Sequence, residues 1–441
     1  MAIGTGAVII PAMDGRNSPW MWLRPGMHVK RWLLLLMAGI VLISLGLAYL
    51  LRQLYADLTF PAAFYYLTLQ FLSRPVRAIL LGTLGVSIVL LALVQLNRAL
   101  LNPFVSPSQA NVAERVYQHH RRRRGPKIVA LGGGTGLSTL LRGLKQHSDN
   151  ITAIVSVADD GGSSGKLRQA TGMLPPGDIR QCLVALSEEE GVTGQLFQYR
   201  FGDQYGLGGH SFGNLFIAAM SEIAGSFEQG VVESSRVLAV RGRVIPSTLK
   251  QVTLAADLRV ESAHEGHGWQ RVVGESAIPT AQREIVRVFL EPETAPAYPE
   301  AVKAILQADL IIAGPGSLFT SVLPNLLVPG IAAAIRASKA RRLYICNVAT
   351  QPGETAHFDV DAHVRALRQH VGDLFPVVLA NDHLLPSQGE MAHLEPVALP
   401  AGQPTDYTLL TADVVDEEHP WRHDSAKLAQ AIVAIYQEPA R

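Results

Sequence analysis

Cysteine is nearly missing from this chain: 441 residues hold two, Cys182 and Cys346, far apart in sequence. Two distant thiols exclude a disulfide framework or a cysteine-based metal cluster, and they fit a reducing compartment as small buried hydrophobes. Net charge is nearly missing too, at +1. That balance hides an asymmetry. Residues 1–125 carry 13 Lys/Arg against 3 Asp/Glu, whereas the remainder carries 25 against 34. An acidic main body excludes a broad nucleic-acid surface, so no nucleic-acid partner is expected.

Charge is absent altogether from two stretches of the basic end. "WLLLLMAGIVLISLGLAYLL", residues 32–51, has about the length of a hydrocarbon core, and residues 78–96 carry one amide in an otherwise apolar run. They predict two transmembrane helices joined by an extracytoplasmic or interfacial loop at 52–77. No small-residue cleavage site marks the first as a signal peptide. Arg24, Lys30 and Arg31 precede the pair, and Arg98, Arg115 and Arg121–Arg124 follow it. This bias predicts a multi-pass protein of the cell membrane, with the tail 1–31, the basic juxtamembrane linker 97–125 and the large domain all cytoplasmic. "HHRRRRG", 119–125, then reads as a collar for anionic headgroups of the lipid bilayer. Neither span holds an ionisable side chain, so transport is not expected.

From residue 126 the pattern changes. "KIVAL", "ITAIVSVA", "ADLIIAG", "RRLYIC" and "FPVVLAND" are apolar runs that each end in a polar loop, and helical patterns follow most of them. Buried strands alternating with helices predict an α/β fold, a doubly wound Rossmann-like and mostly parallel sheet over 126–417. Shorter alternating strands predict a small β-rich insert at 238–279, and 418–441 reads as a C-terminal helix and tail. The apolar helices near 210–225 and 324–337 suit either core packing or a homo-oligomer interface.

In such folds ligands bind beyond the C-terminal strand ends. There the chain places Gly132, Gly133, Gly134, Thr135 and Gly136 as G-G-G-T-G, a turn entering a helix and a candidate anion nest. Asp159 and Asp160 close the second strand and could hold Mg²⁺, position a hydroxyl or contact a base. The Gly161–Gly165 loop adds the hydroxyls of Ser163 and Ser164. Asp178 is a candidate helix cap as much as a chemical group, and Arg180 beside it suits a phosphate or carboxylate. His210 and Asn214, four apart, can share one helix face, with His210 as a candidate acid, base or phosphate donor. Gly314, Gly316 and Ser317 offer a second nest, and Asn347, Gln351 and Glu354 reach the next strand end. Four such loops together favour a phosphorylated ligand over a structural scaffold.

"GGGTGLSTLLRGLK", "ITAIVSVADDGGSSGKLR", "PPGDIRQCLVAL", "GHSFGNLFIAA", "GPGSLFTSVLPNLLVPGI" and "CNVATQPGET" occur in that order. As a set they resemble the gluconeogenesis-factor family, itself related to 2-phospho-L-lactate transferase. The resemblance covers roughly residues 126–415, and the two predicted spans, which lie outside it, suggest a membrane-anchored branch of that family. It implies a UDP-sugar ligand, notably UDP-N-acetylglucosamine, no established cofactor, and a role linking carbon metabolism to cell shape through envelope-synthesis proteins. The sites named above would form its crevice. The transferase relationship implies an alternative, group transfer from an activated nucleotide, with Asp159, Asp160 and His210 as catalytic groups and Mg²⁺ on the two aspartates. Fold likeness does not carry that reaction over by itself.

Overall fold

The computed structural model describes residues 36–48, 52, 65–66, 69, 71–101 and 121–437, with gaps at 189–190, 204–205, 263–265, 386–390, 392–393 and 403. The chain divides into two units, Met1–Arg121 and Arg122–Arg441.

In the first unit, apolar residues form a helix over Leu36–Ala48 and another over Arg74–Leu101. Among the described residues no single helix is long and apolar enough to cross a membrane. This corrects the expected transmembrane hairpin and, with it, the multi-pass location. The described Leu36–Ala48 helix rises about 20 Å, against a hydrocarbon core of about 30 Å. The second helix opens on Arg74 and Arg77. The expected tail 1–31, most of the 52–77 loop and residues 102–120 of the linker lie outside the described residues. The described end of the arginine run is not a free collar. Arg122 lies 3.6 Å from Asp149, and Asn150 donates to the carbonyls of Arg123 and Gly125.

The second unit is built on a wholly parallel seven-stranded sheet. Its strands are β1 (Ile128–Gly132), β2 (Ile151–Val155), β3 (Arg243–Pro246), β7 (Leu310–Ala313), β8 (Arg341–Ile345), β9 (Val377–Asn381) and β10 (Thr408–Ala412), in the order β10-β9-β8-β7-β1-β2-β3. Alternate residues feed opposite faces, as strand geometry requires. Val129 and Leu131 enter one buried apolar cluster, and Ile128 and Ala130 enter the other. Strand order reverses between β1 and β7, so the crevice of a doubly wound sheet falls beyond those two strands.

The antiparallel insert is present but lies later than expected. It comprises β4 (Thr253–Ser262), β5 (Gly266–Val273) and β6 (Ile285–Glu291), ordered β5-β4-β6. Residues 243–246, read as insert, instead pair with β2 as the edge of the main sheet. On the insert's inner face Leu254, Ala256, Leu258, Val288 and Leu290 join the core. On the outer face Asp257 is held by Arg271 at 3.1 Å and Arg287 at 2.7 Å. The segments Leu318–Leu326 and Pro329–Ala337 form a bent apolar pair, and Leu318, Leu323, Ile331 and Ile335 bury themselves in the domain core.

Five helices position the site: α1 (Gly134–Leu144), α2 (Gly162–Thr171), α3 (Gly177–Leu186), α4 (Phe212–Ala224) and α5 (Ser425–Gln437). α5 is backed onto α1 so closely that a Cβ on Gly143 would stand 1.9 Å from the Ser425 carbonyl oxygen.

Candidate functional site

β1 runs through Gly132 and Gly133 straight into α1. These glycines are needed by their neighbours. A Cβ on Gly133 would stand 2.3 Å from Asp178 Oδ2, and one on Gly136 would meet the Pro315 carbonyl oxygen at 2.5 Å. Gly134 has φ +58 and donates its N–H to the Asp178 carboxylate. Asp178 sits in the first turn of α3, whose N-cap is Pro176, so it is not the expected cap. It plugs part of the first anion nest instead. The first-turn amides of Thr135 and Gly136 have no intrahelical partners, as at any helix start.

Across the crevice, the turn after β7 carries Gly314 (φ +80) and Gly316 (φ +148). Here too a protein oxygen enters the nest: Gly316 donates to Asn347 Oδ1 at 3.1 Å. Gln351 donates to Ser317 Oγ at 2.7 Å, and Thr320 to Glu354 Oε1 at 3.1 Å. Asn325 Nδ2 ties the Gly132 carbonyl at 2.9 Å, locking the two sides of the switch point together. Between them lies a cavity of about 510 Å³, lined by Gly133–Gly136, Gly316, Ser317, Asn347, Gln351, Glu354 and, from the chain end, Trp421–His423. Asp159, Asp160, Ser163, Ser164, Asp178, Arg180, His210, Asn214, Gly132 and Gly314 are not among its lining residues.

The Gly161–Gly165 segment is not a loop. From Gly162 it is the first turn of α2, with Gly161 as an extended N-cap. Asp159 Oδ1 accepts from the Gly161 N–H at 2.9 Å, and Asp160 Oδ1 accepts from both the N–H and the hydroxyl of Ser276, at 3.0 and 2.9 Å. The two carboxylates thus serve different elements. Among the described residues no group of three or more His, Cys, Asp or Glu is arranged to hold a metal ion. Ser164 Oγ accepts from Gly177 N–H at 3.1 Å. Ser163 Oγ lies 3.2 Å from His210 Nδ1 and accepts from Asn214 Nδ2 at 3.0 Å, and Ser211 caps α4 through the Asn214 N–H. Sequence proximity had pointed to the pairing of His210 with Asn214; Ser163 is what joins them.

Electrostatically the crevice is acidic. Burial and then the charge of Asp159 push Asp178 up to about 7. Asp178 is half-buried. Burial pushes Glu354 up to about 7 against the hydrogen bond from Thr320. Glu275 rises well above the usual carboxylate range, through burial and then the charges of Asp178, Asp159, Asp160 and Glu354. It comes from the turn after β5, and only the tertiary placement of the insert reveals it. The same holds for Trp421, Arg422 and His423, which no local pattern marked. His423 is buried, its Nε2 lies 3.2 Å from the Cys346 carbonyl oxygen, and burial lowers it to about 4, so it is a neutral donor.

A parallel Rossmann-like sheet with facing helix starts and turns at its switch point defines an α/β protein built around a strand-end ligand crevice. Residues 128–440 match the family model of 2-phospho-L-lactate transferase CofD. The chain is 45% identical over 326 residues to the gluconeogenesis factor of Bacillus subtilis, covering 71% of this chain and 99% of that protein. A Nostoc sp. relative is 44% identical over 438 residues, 95% of this chain and 93% of the relative. A crystal structure of a UPF0052 family member from Bacillus halodurans is 44% identical with a TM-score of 0.65, covering 70% of this chain and 99% of its own. The chain belongs to the gluconeogenesis-factor (UPF0052) family, within the CofD superfamily.

Proposed function

We propose that this protein is a nucleotide-sugar-binding regulator, with UDP-N-acetylglucosamine as its ligand, linking carbon metabolism to envelope synthesis and cell shape. The observation that carries this reading is the cavity of about 510 Å³ at the switch point, bounded by the start of α1 and the Gly314–Ser317 turn. That volume lies within the range of small-ligand sites, roughly 300–1,000 Å³. Unpaired amides at the start of α1 suit a diphosphate. Among the lining residues, Arg422 brings a cation and Trp421 an aromatic side chain. The names of the B. subtilis and Nostoc relatives' family support a role in gluconeogenic metabolism.

The acidic groups set a condition on this reading. A diphosphate is tolerated beside Asp178 and Glu354 while these are protonated, or while Mg²⁺ bridges them to it. Affinity for the nucleotide sugar is therefore expected to fall as pH rises through about 7, where both carboxyls lose their protons. Calorimetric titration of the full chain with UDP-N-acetylglucosamine and with GDP, each with and without Mg²⁺, tests the assignment. Uptake of the UDP-sugar, recovered intact, supports the regulator. Preference for GDP with Mg²⁺ sinks it in favour of the second reading, a nucleotide-dependent transferase. That alternative has one specific support: a carboxyl held near 7 on the cavity wall, Glu354, has the proton affinity of a general base at neutral pH.

A further inference from the structure

Several polar groups of the second unit are left over when the cavity is accounted for, and they gather where α2, α3 and α4 meet. Arg180 is 6% exposed, and its Nε has no hydrogen-bond partner. Asn214 is 2% exposed; its N–H and Nδ2 are bonded, while Oδ1 has no partner. The two are held together by packing, because a Cβ on the intervening Gly213 would stand 2.7 Å from Arg180 Cδ. Ser163 and His210 complete the group through their bonds with each other and with Asn214. A buried donor on α3 and a buried acceptor on the first turn of α4 packed against it, both left unmatched, cost roughly 1–3 kcal/mol each unless something fills them.

The charges point the same way. The Arg200 guanidinium stands near enough to Arg180 to oppose its charge, more strongly than either the Asp178 or the Asp159 carboxylate favours it, and donates to the Gly209 carbonyl at 3.2 Å. Lys166 Nζ donates to the Gly208 carbonyl at 3.1 Å. Three cations thus surround the loop that starts α4, and the first turns of both α2 and α4 open there, where a helix favours an anion. This place is not the cavity described above. Asp178 and Arg180 are two apart on α3, a spacing that sends side chains to different sides of a helix. Asp178 reaches the cavity-lining Gly133 and Gly134, whereas the Arg180 stem lies against α4.

We infer that the junction of α2, α3 and α4 is a second binding subsite, built for a protonated phosphoryl group. The choice of ligand rests on the donor and acceptor inventory. The guanidinium of Arg180 needs an acceptor oxygen, and Asn214 Oδ1 needs a donor. Hydrogen phosphate offers both on one atom centre, as does a phosphate monoester in its singly protonated form. Sulfate, which carries no proton at neutral pH, satisfies Arg180 and leaves Asn214 Oδ1 facing an oxygen.

Calorimetry and ³¹P NMR on the full chain test this with inorganic phosphate, sulfate and methyl phosphate as probes. Phosphate is expected to bind at least ten times more tightly than sulfate, with its affinity changed less than threefold when the protein is saturated with UDP-N-acetylglucosamine. Arg180→Gln should weaken phosphate at least tenfold. Asn214→Asp, which replaces the amide by a charged acceptor, gives an independent tenfold loss should the arginine variant fail to fold by circular dichroism. Methyl phosphate binding within threefold of phosphate assigns the subsite to phosphate monoesters; its rejection assigns it to free phosphate. Competition between phosphate and the nucleotide sugar, equal binding of sulfate, or undiminished binding by folded Arg180→Gln overturns the inference. Failure of the nucleotide sugar to bind, with phosphate still held through Arg180, removes the proposed function and leaves the subsite standing.

Discussion

Two glycine runs end neighbouring strands of one sheet, Gly132–Gly136 after β1 and Gly161–Gly165 shortly after β2, and they are glycine for different reasons. In the first, the constraint comes from across the crevice: the carboxylate of Asp178 and the backbone of Pro315 press on Gly133 and Gly136. In the second, it is mostly local. Gly162 has φ +48 with open space around it, and Gly161 is extended, with its nearest neighbour atom at 3.4 Å. Like composition therefore marks a tight tertiary junction in one case and a helix start in the other.

Substitutions can break this comparison. Gly136→Ala is expected to be far more damaging than Gly161→Ala or Gly162→Ala, because the backbone it meets at 2.5 Å cannot rotate away. Overpacking of this kind costs about 3 kcal/mol, readable as a lower urea midpoint. Next comes the acidic plug that faces Gly133. Asp178 keeps its proton to about 7 when folded and loses it near 3.8 when unfolded, so its contribution makes stability fall as pH rises between those values. Asp178→Asn removes that slope. The variant should gain about 2 kcal/mol on the wild type between pH 5 and pH 8 in paired urea unfolding curves. A gain that is equal at both pH values would mean that Asp178 is not held protonated.

Smaller effects are expected at Gly161 and Gly162, at the start of the second run; Gly165, whose Cβ would stand 1.9 Å from the Asp160 carbonyl oxygen, is excepted. Gly162→Ala forces a left-handed backbone on a residue with a Cβ and should cost about 1 kcal/mol, without steric damage. Gly161→Ala keeps both its extended backbone and the N–H given to Asp159, and should stay within about 0.5 kcal/mol of the wild type. Similar losses at Gly136 and Gly161, measured side by side, would erase the distinction between the two runs.

Much of the fold was legible because buried parallel strands are written as continuous apolar runs: β1, β2, β7, β8 and β9 all fall on such runs. β3 was not, because "RVIP" is too short to reveal whether it pairs with a parallel or an antiparallel neighbour. The transmembrane reading failed on the same kind of evidence that succeeded elsewhere. Apolar length alone does not specify a spanning helix, just as the apolar pair at 318–337 is core. In the site, the loops after β1, β7 and β8 did meet around one cavity. His210, Asn214 and Ser163 met one another instead, away from its lining.

By itself, the sequence determined the parallel α/β core, the glycine-rich strand ends and the family pattern they spell, because strand burial and turn chemistry are local and periodic. Only the tertiary structure decided that Asp178 and Asn347 fill the nests, that Glu275 joins them from the insert, and that the chain end closes the cavity with Trp421–His423. Those contacts join residues tens to hundreds of positions apart. What fixes them is the order of the strands and the packing of helices across the sheet, which no stretch of chain carries alone.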